Sequence, residues 1–197
     1  MKAKYLFEEK IFTISNFLSV LRILVVPFVV YFIYLEDITG DLTYRSHQLI
    51  LFLIIIISDF FDGFFARAFN QISQLGQFLD PVADKICLLG IGGSLVIYKG
   101  FPLWMLIIGL CREFFFVLSA FLLFYRRDIE VKPNMLGKIS VLCMAFSAIV
   151  YLLSLDYIVF QNMSIKELSV LLILIFYITG SILNVKRYSV YYNKKEN

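Results

Sequence analysis

A chain of 197 residues that is 60% hydrophobic and 17% aromatic is too apolar for a soluble domain. A net charge of +3 in so apolar a chain gives no ground for a nucleic-acid partner. The three cysteines, Cys87, Cys111 and Cys143, are odd in number and lie in apolar runs, which favours packing over a disulfide framework. The composition points to an all-α integral membrane protein, a bundle of six transmembrane helices behind a short N-terminal interfacial amphipathic segment.

Residues 1–15 mix Lys2, Lys4 and Lys10 with Glu8, Glu9 and apolar Tyr5, Leu6, Phe7, Ile11 and Phe12. They lack the long apolar core and cleavage site of a signal peptide and are expected to stay in the mature protein, as an interfacial helix or a solvated tail. Residues 16–35 form the first span, with Asn16, Ser19 and Arg22 in a polar stripe at intervals of three, followed by Pro27. The bland reading of Arg22 is a side chain that snorkels to the headgroups. Residues 36–47 read as a polar loop, and His47, the sole histidine, as a surface residue.

The second span, residues 48–69, is where the composition becomes costly. Its 14 Leu, Ile or Phe residues between positions 49 and 69 return about 7 kcal/mol on an insertion scale, while Asp59, Asp62 and Arg67 cost about 9. Such a helix must face a polar cavity, a metal or a partner. A self-neutralising Asp–Arg pairing accounts for one aspartate and leaves the others without a partner. After a short polar connection, residues 70–74, the third span begins near Asp80 and runs to about residue 98, with Asp84 one turn on and Gly90, Gly92 and Gly93 suited to close helix packing.

Spacings of three (Asp59, Asp62) and four (Asp80, Asp84) put each pair on one helix face. If the two helices are antiparallel neighbours, four carboxylates converge. Oxygen donors without histidine or cysteine suit hard cations such as Mg²⁺, Mn²⁺ or Ca²⁺.

Residues 103–125 form the fourth span, with Arg112-Glu113 near its middle, either a self-satisfied ion pair or an arginine facing the same cavity. A basic loop, residues 126–138, enters the fifth span at Gly137-Lys138, which continues to about residue 155. Residues 156–167 form the last loop and 168–185 the sixth span. Residues 16–185 are expected to be a single six-helix domain, followed by a charged tail, 186–197. With six spans, 13 of the 18 Lys and Arg fall on the side of the two tails and the aspartates: three near the N-terminus, Arg67 and Lys85, four in 126–138 and four in the C-terminal tail. The other side holds Arg45, Lys99 and Lys166. The positive-inside rule then puts both termini and the acidic site on the cytoplasmic face of the cell membrane.

Asp59-x-x-Asp62-Gly63-x-x-Ala66-Arg67, eight residues, Gly76, three residues, Asp80, three residues, Asp84 resembles at every fixed position the signature of the CDP-alcohol phosphatidyltransferase family. The resemblance implies transfer of a phosphatidyl or similar group from a CDP-activated donor to an alcohol, with CMP leaving. It implies that Asp59, Asp62 and Asp80 hold two divalent ions, Mg²⁺ or Mn²⁺, and that Asp84 touches the second ion and serves as general base. It also implies a CDP site at Gly63, Ala66, Arg67 and Gly76, with Ser73 a further member, and a homodimer. The first span, N-x-L-S-x-x-R-x-x-x-x-P, is similar to the family's first helix, which makes Asn16 and Ser19 candidate donor contacts.

Within the family, Arg112-Glu113 and Leu136-Gly137-Lys138-Ile139 resemble elements of phosphatidylglycerophosphate synthases. That implies CDP-diacylglycerol as donor and glycerol 3-phosphate as acceptor, with Arg112 and Lys138 on the acceptor phosphate. Ser140-Val141 departs from the Lys-Thr usual after the glycine-lysine element. A cardiolipin synthase using phosphatidylglycerol is the alternative within the family. A divalent-cation transporter is the alternative outside it, opposed by the absence of charge in residues 49–57 and 86–97.

Overall fold

The computed structural model describes residues 13–68, 74–125, 135–160 and 162–193. Most of the expected interfacial segment, Ser73, the basic loop at 126–134 and the last four residues lie outside the described residues. Six helices follow one another: α1 (Ile14–Thr39), α2 (Thr43–Ala68), α3 (Gln74–Lys99), α4 (Leu103–Tyr125), α5 (Met135–Leu152) and α6 (Ile165–Asn193). Between α5 and α6, strand β1 (Ile158–Phe160) pairs antiparallel with β2 (Met163–Ser164). Four segments are long and apolar enough to cross a bilayer: Ile14–Thr39, Thr43–Asp62, Leu79–Lys99 and Ile165–Leu183. The described residues are therefore those of a multi-pass membrane protein, helical apart from one small hairpin among them. The apolar part of α5, Ile139–Leu152, is shorter.

The chain divides into two compact units, residues 1–100 and 101–197. In the first, α1 packs against both α2 and α3. Thr13 caps α1, its hydroxyl accepting the Asn16 N–H at 3.2 Å. The buried positions of α1, Ser15, Asn16, Ser19, Arg22, Val26, Val29, Ile33 and Glu36, recur at three and four and form one stripe. Phe17, Leu24, Phe28 and Tyr31 point outward. The helix is thus polar at both ends of its inward face and apolar on its outward face, as lipid requires.

The expected loop at residues 36–47 is corrected by the structure. Helix α1 runs on to Thr39 and α2 begins at Thr43, so only residues 40–42 connect them. Gly40 ends α1 in the left-handed region (φ 69°) and donates its N–H to Glu36 O at 2.9 Å. Asp41 Oδ1 accepts the Thr43 N–H at 2.9 Å, which holds that carboxyl below its usual range. Polarity misled the sequence reading because polar side chains also sit on helix faces: Glu36 points inward, while Asp37, Thr39, Thr43 and Ser46 are exposed along α1 and α2. Glu36, 6% exposed, accepts from Arg45 Nε at 2.6 Å, Gln48 Nε2 at 2.7 Å and the Lys99 ammonium, so one carboxylate joins α1, α2 and the end of α3. His47 is exposed and its ring stacks on Phe32.

At Gly90 α3 lies tight against α1, since a Cβ there would stand 2.6 Å from Val26 Cγ1, whereas one at Gly93 would meet nothing within 4 Å. The packing role foreseen for the glycines falls on Gly90.

In the second unit α5 packs against α6. Ser147 and Ser169 hydroxyls meet at 2.8 Å in the buried seam, and Tyr177 OH donates to Met144 Sδ at 3.4 Å. The expected loop at 156–167 contains the hairpin and the start of α6. That start is a capping box: Ser164 Oγ accepts the Glu167 N–H at 3.2 Å, and Glu167 Oε2 accepts the Ser164 N–H at 2.9 Å.

Two features of this packing can be tested by substitution. Gly90→Val should destabilise the protein by about 1–3 kcal/mol through overpacking against a stiff β-branched neighbour, with Gly93→Ala close to neutral. Glu36→Ala should cost about 2 kcal/mol, less than a fully buried pair because Arg45 can turn to water. Thermal unfolding in detergent reads both.

Candidate active site

The aspartates that were expected to meet do so, but on a residue from a third helix. Asp59 and Asp62 come from α2, Asp80 and Asp84 from α3, and the Arg22 guanidinium from α1 lies between them. Arg22 Nη1 is ion-paired with Asp59 Oδ1 and, at 2.8 Å, with Asp84 Oδ1. Nη2 is ion-paired with Asp62 Oδ2 and lies 3.5 Å from Asp80 Oδ1. Each terminal nitrogen therefore bridges one carboxylate of α2 to one of α3. At 2% exposed, Arg22 does not snorkel to the headgroups. The self-neutralising pairing weighed from the sequence exists in a wider form, one arginine serving all four aspartates.

Exposure is graded across the set. The Asp62 side chain is 9% exposed, Asp80 37%, Asp59 56% and Asp84 63%. Asp62 is the floor of the site and Asp84 its rim. Ser19, fully buried, hydrogen-bonds through Oγ to Asp80 Oδ1 and lies 3.1 Å from Ser15 O. Asn16 is buried at the same end of α1. The polar stripe of the first span thus lines the aspartate site.

The donor set fits a hard divalent cation in chemistry, four carboxylates with no nitrogen or sulfur ligand. As placed, no three acidic side chains among the described residues are arranged around one ion, because the guanidinium occupies the middle. Nε of Arg22 is buried with no hydrogen-bond partner among the described residues.

The remaining sequence candidates divide by position. Gly63, Ala66 and Arg67 belong to the last turns of α2, and Gly76 is buried in the first turn of α3. The side chains of Ala66 and Arg67 lie outside the described residues, as do Ser73 and the side chain of Lys138, which falls in the first turn of α5. In the second unit Arg112 pairs with Glu113 at 2.8 Å and its guanidinium stands 4.6 Å from the centre of the Tyr177 ring. The ion pair is one of the two readings weighed from the sequence; Tyr177 is not, since nothing in the sequence links α4 to α6. Beside Asp59, an apolar groove of about 340 Å³ runs between α1 and α2, lined by Leu18, Leu21, Ile54, Ile57, Ser58 and Phe61.

Comparison with known proteins bears on this arrangement. Residues 12–182 match the CDP-alcohol phosphatidyltransferase family. The chain belongs to that family. Curated relatives include a cardiolipin synthase (CMP-forming) of Streptomyces coelicolor, 30% identical over 74% of this chain and 67% of that protein. A CDP-diacylglycerol–glycerol-3-phosphate 3-phosphatidyltransferase of Aquifex aeolicus is 31% identical over 68% of this chain and 72% of its own length. One of the same name from Bacillus subtilis is 39% identical over 46% of this chain and 47% of its own length. The protein is accordingly an enzyme of phospholipid biosynthesis, a membrane-embedded CDP-alcohol phosphatidyltransferase. The resemblance drawn from the signature is thereby established at the level of the family.

Tyr177→Leu should remove the cation–π contact and lower stability by about 1 kcal/mol, whereas Tyr177→Phe keeps the ring and should lose less. Unfolding temperatures of the two variants, measured side by side, check the contact.

Proposed function

We propose that this phosphatidyltransferase takes CDP-diacylglycerol as donor and glycerol 3-phosphate as acceptor, releasing phosphatidylglycerophosphate and CMP. The observation that carries the chemistry is the convergence of Asp59, Asp62, Asp80 and Asp84 on one point between α1, α2 and α3. Asp59, Asp62, Asp80 and Asp84 would hold two divalent ions, Mg²⁺ or Mn²⁺, whose chemistry at this place is to neutralise the diphosphate of the donor.

The chain's own residues supply the rest. Asp84 takes the proton of the acceptor hydroxyl, a role that its being the most exposed of the four supports. The hydroxyl oxygen then bonds to the phosphorus that carries diacylglycerol, and the bond from that phosphorus to the CMP oxygen breaks, leaving CMP with the electron pair. Gly63 and Gly76 let cytidine and ribose approach the backbone, and Ala66, Arg67 and Ser73 complete the donor site. Asn16 and Ser19 border it from α1. The groove between α1 and α2 supports a lipidic donor, because its lining is apolar but for Ser58, the residue next to Asp59 in the chain. Arg112 and Lys138 bind the acceptor phosphate. All six helices span the membrane, with both termini and the acidic site on the cytoplasmic side, and the enzyme works as a homodimer.

Relatives named for glycerol 3-phosphate favour that acceptor. The breadth of the match to the Streptomyces cardiolipin synthase keeps phosphatidylglycerol as the second reading.

Purified protein in detergent with CDP-diacylglycerol and Mg²⁺ should release CMP when glycerol 3-phosphate is added and not when phosphatidylglycerol is added. The reverse result would replace the acceptor, and release with neither would require another alcohol. Asp84→Asn should lower turnover roughly 100- to 10,000-fold while donor binding persists. Asp59→Asn should lose both, and full turnover in Asp84→Asn would remove that residue as base.

A further inference from the structure

Arg22 takes no part in the transfer chemistry above, yet it touches every aspartate of the site from a helix that carries none of them. We infer that Arg22 is a resident counter-cation that holds the four carboxylates together while no divalent ion is bound and competes with such an ion for their oxygens. The inference rests on the reading of these aspartates as metal ligands and adds a residue that governs how tightly they bind.

Four observations carry it. Four carboxylates on two neighbouring helices repel one another, and Asp62, at the floor of the site, has little water to relieve it. Arg22 is the cation that meets this charge: it is 2% exposed, and each terminal nitrogen bridges an α2 carboxylate to an α3 carboxylate. A guanidinium keeps its charge at any ordinary pH, so it cannot yield to a metal by losing a proton and must yield by moving. Finally, the oxygens it grips, Oδ1 of Asp59, Oδ2 of Asp62 and Oδ1 of Asp80 and Asp84, come from the residues a divalent ion would use, and with Arg22 among them no three acids stand around one ion.

Its fit to the site is also incomplete. Nε is buried and has no acceptor, so among the described residues the polar hold on the side chain comes through its two terminal nitrogens. Nothing at Nε opposes retraction along the α1 face. A role confined to holding helices together makes the opposite forecast: an arginine that only organises the carboxylates would help a metal bind, and its loss would weaken binding.

The test needs no substrate. Full-length protein in detergent, stripped of metal with EDTA, is titrated with MnCl₂ while free Mn²⁺ is followed by its paramagnetic resonance signal, and unfolding temperatures are recorded with and without the ion. Arg22→Gln should unfold at a lower temperature than wild type without metal, and should bind Mn²⁺ about tenfold more tightly, the scale of a typical coupling between competing ligands. Its metal-induced rise in unfolding temperature should then exceed that of wild type. Arg22→Lys, with a single ammonium that cannot bridge both helices, should fall between the two, and it decides the matter if Arg22→Gln does not fold. Affinity unchanged or weakened in these variants would overturn the competition. Wild type that binds no more Mn²⁺ than Asp59→Asn would overturn the metal-site reading itself, and the inference with it.

Discussion

Carboxylates set among apolar helices need a compensating positive charge, and the first unit is built around that requirement. Removing an ionised carboxylate from water costs several kcal/mol even after relaxation, and each like neighbour adds to it. Arg22 answers the requirement for the four aspartates, which is why α1 packs against both helices that carry them. The same logic recurs with reversed sign towards the other end of α1. There Glu36 is the buried anion, and Arg45, Gln48 and Lys99 from α2 and α3 close on it. Fourteen residues separate Arg22 from Glu36, roughly 21 Å along the helix axis. Helix α1 is a spine with a cation near one end and an anion near the other, joined by Val26, Val29 and Ile33.

Between the two polar clusters the helices meet through small or branched residues, with Gly90 seated on Val26. The outward faces carry Phe17, Leu24, Phe28 and Ile97, whose exposure is natural only in lipid. Directionality comes from charge and closeness from glycine. The graded exposure from Asp62 to Asp84 gives the set an inner end and an outer end, so four identical side chains stand in different surroundings.

The second unit has a different character. Its seam is held by paired serines, a tyrosine on a thioether and an arginine over that same tyrosine ring. Within the family the chemistry is common while the acceptor varies, as relatives named for glycerol 3-phosphate and for cardiolipin synthesis illustrate. Acceptor choice is assigned above to Arg112 and Lys138 of this unit, and the departure at Ser140-Val141 belongs to the same stretch.

The helical membrane class, the aspartate pairs and the family were legible in the sequence, because each depends on local spacing: apolar runs of span length, carboxylates three and four residues apart, and an eight-position signature. The ends of α4 were also legible, since Pro102 and the basic Arg126-Arg127 mark them without help from tertiary contacts. Glu36 to His47 was misread as a loop because polarity alone cannot distinguish a residue facing water from one paired inside. The sequence left Arg22 open between the headgroups and the polar stripe for the same reason: its partners lie 37 to 62 residues away on two other helices. Only the tertiary structure, by laying α1 against α2 and α3, decided which charges neutralise which, because ion pairing depends on distance in space and leaves no period along the chain.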